Sequence, residues 1–172
     1  MIHNAVGVVA EKLNNFLKSN FGLTEDKVLI SNFMNQDGSS AIIEPDKVIV
    51  TLVNLQEEKV SGNSQSVKLV LSLLFTANFS GKNYLEALKF LSATVSFFQS
   101  NTVFDSSNSP DLDSGIEKLR FEIDNLDFNQ QSNLWGALGA KQMPAVLYKV
   151  RMINFRDSEI GNSFPVFGGV KF

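Results

Sequence analysis

Cysteine is absent from the 172-residue chain. That excludes disulfides, thiolate metal sites and thiol nucleophiles. Histidine occurs once, as His3. A histidine-rich metal site is therefore excluded, and His3 sits beside a terminus with no orienting partner in view. Long apolar runs are missing too. The longest charge-free stretch, Phe90–Phe104, is broken by Ser, Thr, Gln and Asn, too short and polar to cross a bilayer. Basic clusters are missing as well: 15 Lys and Arg stand against 18 Asp and Glu, a net charge of −3. Nucleic-acid binding needs a basic footprint, so it is not expected. Phosphate loops of the GxGxxG or GxxxxGK[ST] type do not occur, nor does the GxSxG nucleophile turn. The start MIHNAVGVVAEKLNNFL lacks the basic opening and cleavage site of a signal peptide. The expectation is a protein assembled in the cytoplasm, without direct membrane insertion.

What is abundant is phenylalanine: 15 Phe beside 2 Tyr and 1 Trp, in a chain that is 44% hydrophobic. Phe buries area without a polar handle, which suits dry cores and dry interfaces. The length fits one domain better than two.

Hydrophobic spacing predicts the elements. Residues 2–19 carry Ile2, Val6, Val9, Leu13, Phe16 and Leu17 at helical intervals, with Gly22 as a stop. Lys27–Phe33 reads as a strand, and Asp37-Gly38 as a turn into a second strand, Ala41–Glu44. VIVTLVNL (Val48–Leu55) is apolar on both faces, as a central strand is. In Val67–Phe79 every odd position is apolar. The polar SGNSQS between these two strands predicts an antiparallel pair.

Residues 83–100 form a helix with two apolar stripes. One is Tyr84, Leu88, Leu91, Val95 and Phe98; the other is Ala87, Phe90, Thr94 and Phe97. A surface helix normally has one such face. Two imply the sheet on one side and another element, or another subunit, on the other. Residues 101–115 read as a polar loop. Ile116–Leu126 alternates, with Leu119, Phe121 and Ile123 inward and Lys118, Arg120, Glu122 and Asp124 outward. Asp127 followed by Gln130 is a capping box for a short helix from Phe128 to Leu138, closed by Gly139. The last strand is AVLYKVRMINF (Ala145–Phe155). Should it neighbour Ile116–Leu126, Lys149 and Arg151 would meet Glu122 and Asp124 across the ladder.

The element order α, several β, α, β, α, β predicts an α+β fold: a mixed, mostly antiparallel sheet flanked by helices. Residues 156–172, RDSEIGNSFPVFGGVKF, change character. They have neither helical nor strict strand periodicity, yet carry Ile160, Phe164, Val166, Phe167, Val170 and Phe172. Either they are a frayed end, or an arm that orders on a partner, for instance by strand addition.

Candidates for chemistry each have a plainer reading. Asp111 and Asp113 sit in a loop without the glycine and glutamate of a calcium site. Glu122 and Asp124, two apart, lie on a solvated strand face, and Glu57-Glu58-Lys59 is a charged strand end. Trp135, in NLWGALGAK, is either core or an interface anchor. No cofactor is expected.

Several segments, in order, resemble one family: MIHNAV…LNNFLK, DKVLISN, DKVIVTLVNLQEEK, LSLLFTANF, YLEALKFLSATVSFFQ and LRFEIDNLDFNQQSNLWGALGAKQMPAVLYKVRM. The sequence is similar here to the tail-terminator, or cap, proteins of contractile injection systems of the antifeeding-prophage and virulence-cassette type, over residues 1–155. The resemblance implies a phage tail-terminator-like domain and a structural, non-enzymatic role. It implies a hexameric ring at the baseplate-distal end that binds the last inner-tube and sheath layers, and a second cap paralogue as a further partner. It implies a phage tail-like particle, either released or membrane-anchored. It also implies that residues 156–172 form an arm that pairs with a sheath subunit. The candidate interface residues are Phe90, Phe97, Trp135, Arg151, Phe164, Val166, Phe167 and Phe172. A phage tail-completion or connector protein of the same fold, and a soluble ligand-binding domain, are the alternatives.

Overall fold

The computed structural model describes residues 1–42, 44–58 and 68–154. The expected arm, with Phe164, Val166, Phe167 and Phe172, lies outside the described residues.

The first helix, α1 (Ile2–Phe21), buries Val6, Val9, Leu13 and Leu17, the stripe set by its spacing. It ends at Gly22, whose φ of 63° is left-handed. Lys18 O accepts the N–H groups of both Gly22 and Leu23, which satisfies a carbonyl the helix leaves open.

Strand β1 (Val28–Ile30) is shorter than the sequence run suggests. Its chain does not stay at the sheet. Phe33 turns beneath the opposite face and is buried there beside Trp135. Of the strand expected at Ala41–Glu44, the described residues Ala41, Ile42 and Glu44 form none, and a single bridge joins Met34 to Ser40. The Asp37 carboxylate accepts from the Ser39 N–H at 2.9 Å and its hydroxyl at 2.6 Å. That local turn competes with ladder formation.

Strands β2 (Lys47–Glu58) and β3 (Lys68–Asn78) are antiparallel, as the polar connection predicts. A shift in register between Leu52 and Asn54 marks a bulge. Helix α2 (Tyr84–Ser100) follows a single 3-10 turn. The polar 101–115 stretch contains a strand, β4 (Val103–Asp105), which pairs with β5 (Ile116–Ile123). Phe104 is the apolar residue that anchors it, buried among Phe97, Phe98 and Phe121. Helix α3 (Phe128–Leu138) starts with the expected capping box. Asp127 accepts from the Gln130 N–H at 2.8 Å, and the Gln130 side chain accepts from the Asp127 N–H at 2.9 Å. Gly139 closes it at φ 65°. Strand β6 (Ala145–Asn154) completes a six-stranded sheet of order β1-β2-β3-β6-β5-β4, parallel only between β1 and β2.

The sheet divides two cores. On one face α1 and α2 cover Val48, Val50, Leu71, Leu73, Phe75, Leu119, Phe121, Tyr148, Val150 and Met152. On the other, Trp135 of α3 joins Phe33, Leu74 and Leu147. This α+β layout explains the second stripe of α2. Phe90 stacks on Phe21 of α1 at 4.5 Å, and Phe97 meets Phe16 of α1 at 5.3 Å. The second body beside α2 is thus α1.

Candidate functional site

The shifted carboxylates of the described residues all move in one direction. Wherever a carboxylate is shifted there, it is shifted down, the opposite of a general acid. Asp113 is lowered by the Gly115 N–H and then by the chain's amino terminus, 3.1 Å away. Asn4 donates to Asp111 O at 3.0 Å and accepts from the Asp113 N–H at 2.6 Å. These loop residues hold the start of α1 in place. Among the described residues, no group of three or more His, Cys, Asp or Glu is arranged to hold a metal. No described helix is long and apolar enough to cross a membrane. Burial raises the Tyr148 hydroxyl to about 12, so it stays neutral.

The carboxylates of the outward face meet cations instead. Arg151 on β6 donates from Nε to Glu58 of β2 at 3.2 Å and from Nη1 to Glu122 of β5. Lys149 lies 3.6 Å from Asp124. The pairings foreseen between the last strand and Ile116–Leu126 are therefore present, diagonal to the register, in which Lys149 faces Glu122 and Arg151 faces Arg120. Glu122, then Glu58, holds the Arg151 guanidinium charged. Three strands are tied at this point, but each pair is partly exposed and contributes about 0.2–1 kcal/mol.

The surfaces able to meet another body lie elsewhere. The first is the N-terminal half of α2, where Tyr84, Leu85 and Leu88 are exposed and Leu85 reaches 73%. Beside it a cleft of about 620 Å³ runs between α2 and α3 at the start of β6, lined by Tyr84, Leu88, Ile123, Gln131, Trp135 and Met143. Ile123, expected inward, is instead 44% exposed. It lies opposite Tyr148 at the end of β5, where it lines the cleft rather than the core.

The second surface is the far half of β2. Val48–Thr51 are buried, but Leu52–Glu57 open to solvent apart from half-buried Val53. The register sets Leu52 opposite Leu73 and Leu55 opposite Leu71, on the helix-covered face. Both are more than 40% exposed, and Ile30 beside Val50 is exposed as well.

Of the interface candidates, Phe90, Phe97 and Trp135 are 5–6% exposed and enclosed by this chain's own residues. Trp135 meets Phe33 edge-on at 5.6 Å, and its rim reaches the cleft. Arg151 is bound to two carboxylates of its own sheet. The structure does not gather these four in one patch: Phe90 and Phe97 share the larger core, Trp135 sits in the smaller one, and Arg151 lies on the sheet. The exposed apolar residues Tyr84, Leu85, Leu88, Leu52 and Leu55 do not stand out as contact residues in the sequence. Leu85 carries a signal, since it lies outside both stripes of α2. No local pattern announces the exposure of Leu52 and Leu55.

Residues 8–166 match the model of the Pvc16 N-terminal domain family. No curated protein matches the chain. Among solved structures, the sheath/tube terminator of an extracellular contractile injection system, PVC, in its extended state is 16% identical. The match covers 93% of this chain and 61% of that one, with a TM-score of 0.53. The tube-terminating cap of the anti-feeding prophage is 15% identical, with 95% and 60% coverage and a TM-score of 0.54. The chain spans about 60% of the length of these structures and shares their fold. The chain belongs to the Pvc16 N-terminal domain family.

Proposed function

We propose that this member of the Pvc16 N-terminal domain family is a structural cap of a contractile injection particle. It forms a ring at the baseplate-distal end, seats on the last layers of inner tube and sheath, and stops their growth. The observation that carries this reading is family membership over residues 8–166, joined to the terminator fold. The surface agrees with it: among the described residues, exposed apolar side chains form two separate patches, with Met1, Ile123 and Phe128 exposed outside them.

Two unlike patches on one protomer are what a head-to-tail contact needs, and head-to-tail contacts close into rings. The α2 patch at Tyr84, Leu85 and Leu88 and the β2 patch at Ile30, Leu52 and Leu55 supply them. The proposed partners are further copies in a six-membered ring, the sheath protein, the inner tube protein and a second cap paralogue. The particle is assembled in the cytoplasm.

Residues 156–172 are the proposed arm toward the sheath. The end of β6 fixes where it leaves: Ile153 pairs with Lys68, and Lys68 with Glu58, so all three mark one end of the sheet. A chain lacking Asn162–Phe172 is expected to stay folded, because no described core contact is removed. Particles built with it should carry fewer caps under electron microscopy. Capping at the full-chain level would contradict the arm reading.

A further inference from the structure

The outer side of β2 is an open sheet edge. β1 pairs only with Val48–Val50. The Ser31 N–H still reaches Val50 O at 3.1 Å, and the Thr51 hydroxyl reaches Ser31 O at 2.6 Å. From Leu52 to Glu58 no described strand lies outside β2. Beyond the bulge at Leu52–Asn54, where the Asn54 side chain accepts from the Leu55 N–H at 2.9 Å, the edge presents backbone donors and acceptors on alternate residues. With Leu52 and Leu55 exposed beside them, it is a template for another strand. Natural edges are usually blunted by Pro, Lys, a bulge or a covering segment. Between Leu52 and Glu58 there is neither Pro nor Lys, and the bulge sits at the start of the stretch, leaving Leu55–Glu58 regular.

We propose that this edge is the docking site for residues 164–172 of the same chain. Three observations single out that occupant. The first is origin. The segment leaves β6 at the end of the sheet where Ile153, Lys68 and Glu58 lie in register. From β6 to a strand outside β2 is three strand spacings, roughly 14 Å. The intervening residues 155–163 extend to roughly 30 Å. The second is chemistry. Phe164, Val166, Val170 and Phe172 occupy alternate positions, so an extended chain sets them on one side, against Leu52 and Leu55. Pro165 is admissible there, because an added strand is itself an edge with one side facing solvent. The third is concentration. A tether this short holds its end at roughly millimolar effective concentration, which outcompetes a second copy in dilute solution.

The docking rests on reading these residues as an arm, and deepens it. The free protein keeps its arm on its own sheet, shielding an edge that invites unwanted pairing. A partner in the particle then takes the arm over.

The absence of cysteine makes the test clean. Glu57→Cys is combined, one at a time, with cysteine at each of positions 163 to 167, and the free full-length protein is oxidised. Glu57 lies on the helix-covered side of the edge, opposite Leu69. Docking predicts intramolecular disulfides whose yield alternates along the tail, severalfold higher at every second position and unchanged on dilution. Equal yields at all positions would mean a tethered but undocked tail and would overturn the proposal. So would disulfides that form only between chains and fade on dilution, which assign the edge to a second copy. Because the readout is the free protein, failure here leaves the cap reading intact; that reading is decided on particles.

Discussion

Phe98→Ala should lower the stability of the protomer by about 3–5 kcal/mol, the largest loss expected of a single truncation in this chain. The side chain is 2% exposed at the centre of the larger core. Its ring stacks on Phe121 at 4.6 Å and lies 4.7 Å from Tyr148 and 4.8 Å from Phe75. Phe97 and Phe104 complete the cluster. One ring therefore joins α2 to β3, β4, β5 and β6. Alanine leaves a hole that stiff aromatic neighbours cannot fill, so the cavity cost adds to the lost transfer energy. In a chain of this size the melting temperature should fall by roughly 6–20 °C. Calorimetry checks it, and a drop of less than a few degrees would mean that the aromatic cluster repacks freely.

Trp135→Ala is the second large effect, about 3 kcal/mol or more. It acts on the other face of the sheet. Trp135 is the large aromatic that α3 contributes to the smaller core, where it meets Phe33 edge-on and packs with Leu74 and Leu147. That core also holds the excursion of the chain after β1 in place, through Phe33 and Met34. Losing Trp135 should therefore loosen residues 31–42 as well as α3. Hydrogen exchange should show faster amide exchange in both segments, while α1 and α2 keep their protection. An unchanged melting temperature together with unchanged exchange would mean that the side chain adds nothing to packing. The two truncations should differ in place: Phe98→Ala weakens the face covered by α1 and α2, Trp135→Ala the face covered by α3.

Much of this architecture is legible from spacing alone. The α1 stripe, the β2–β3 pair, the capping box at Asp127 and Gln130 and the left-handed stop at Gly139 are local signals with local causes. They survive into the fold because tertiary packing does not oppose them. The elements that are not legible depend on distant partners. β4 is three residues in a run of Ser, Asn and Asp, and exists because β5 offers an edge and Phe104 finds the aromatic cluster. The strand expected at Ala41–Glu44 loses to the turn held by the Asp37 carboxylate. Ile123 keeps the inward parity of its strand but outlasts the helices that would cover it. The two faces of α2 are plain in the sequence, yet the pattern does not say whether α1 or a neighbouring subunit covers the second. Phe16 and Phe21 settle that in favour of α1, which moves the candidate contact surface to Tyr84, Leu85 and Leu88.

Both truncations act on the protomer, whereas capping is a property of the particle. The direct measurement is a reconstruction, by electron microscopy, of particles purified from cells that make this chain. A terminating cap predicts density for the protein in one ring at the end opposite the baseplate, resting on the last tube and sheath layers and nowhere else. Density repeated along the tube, or particles that are closed at that end without it, would contradict the cap reading.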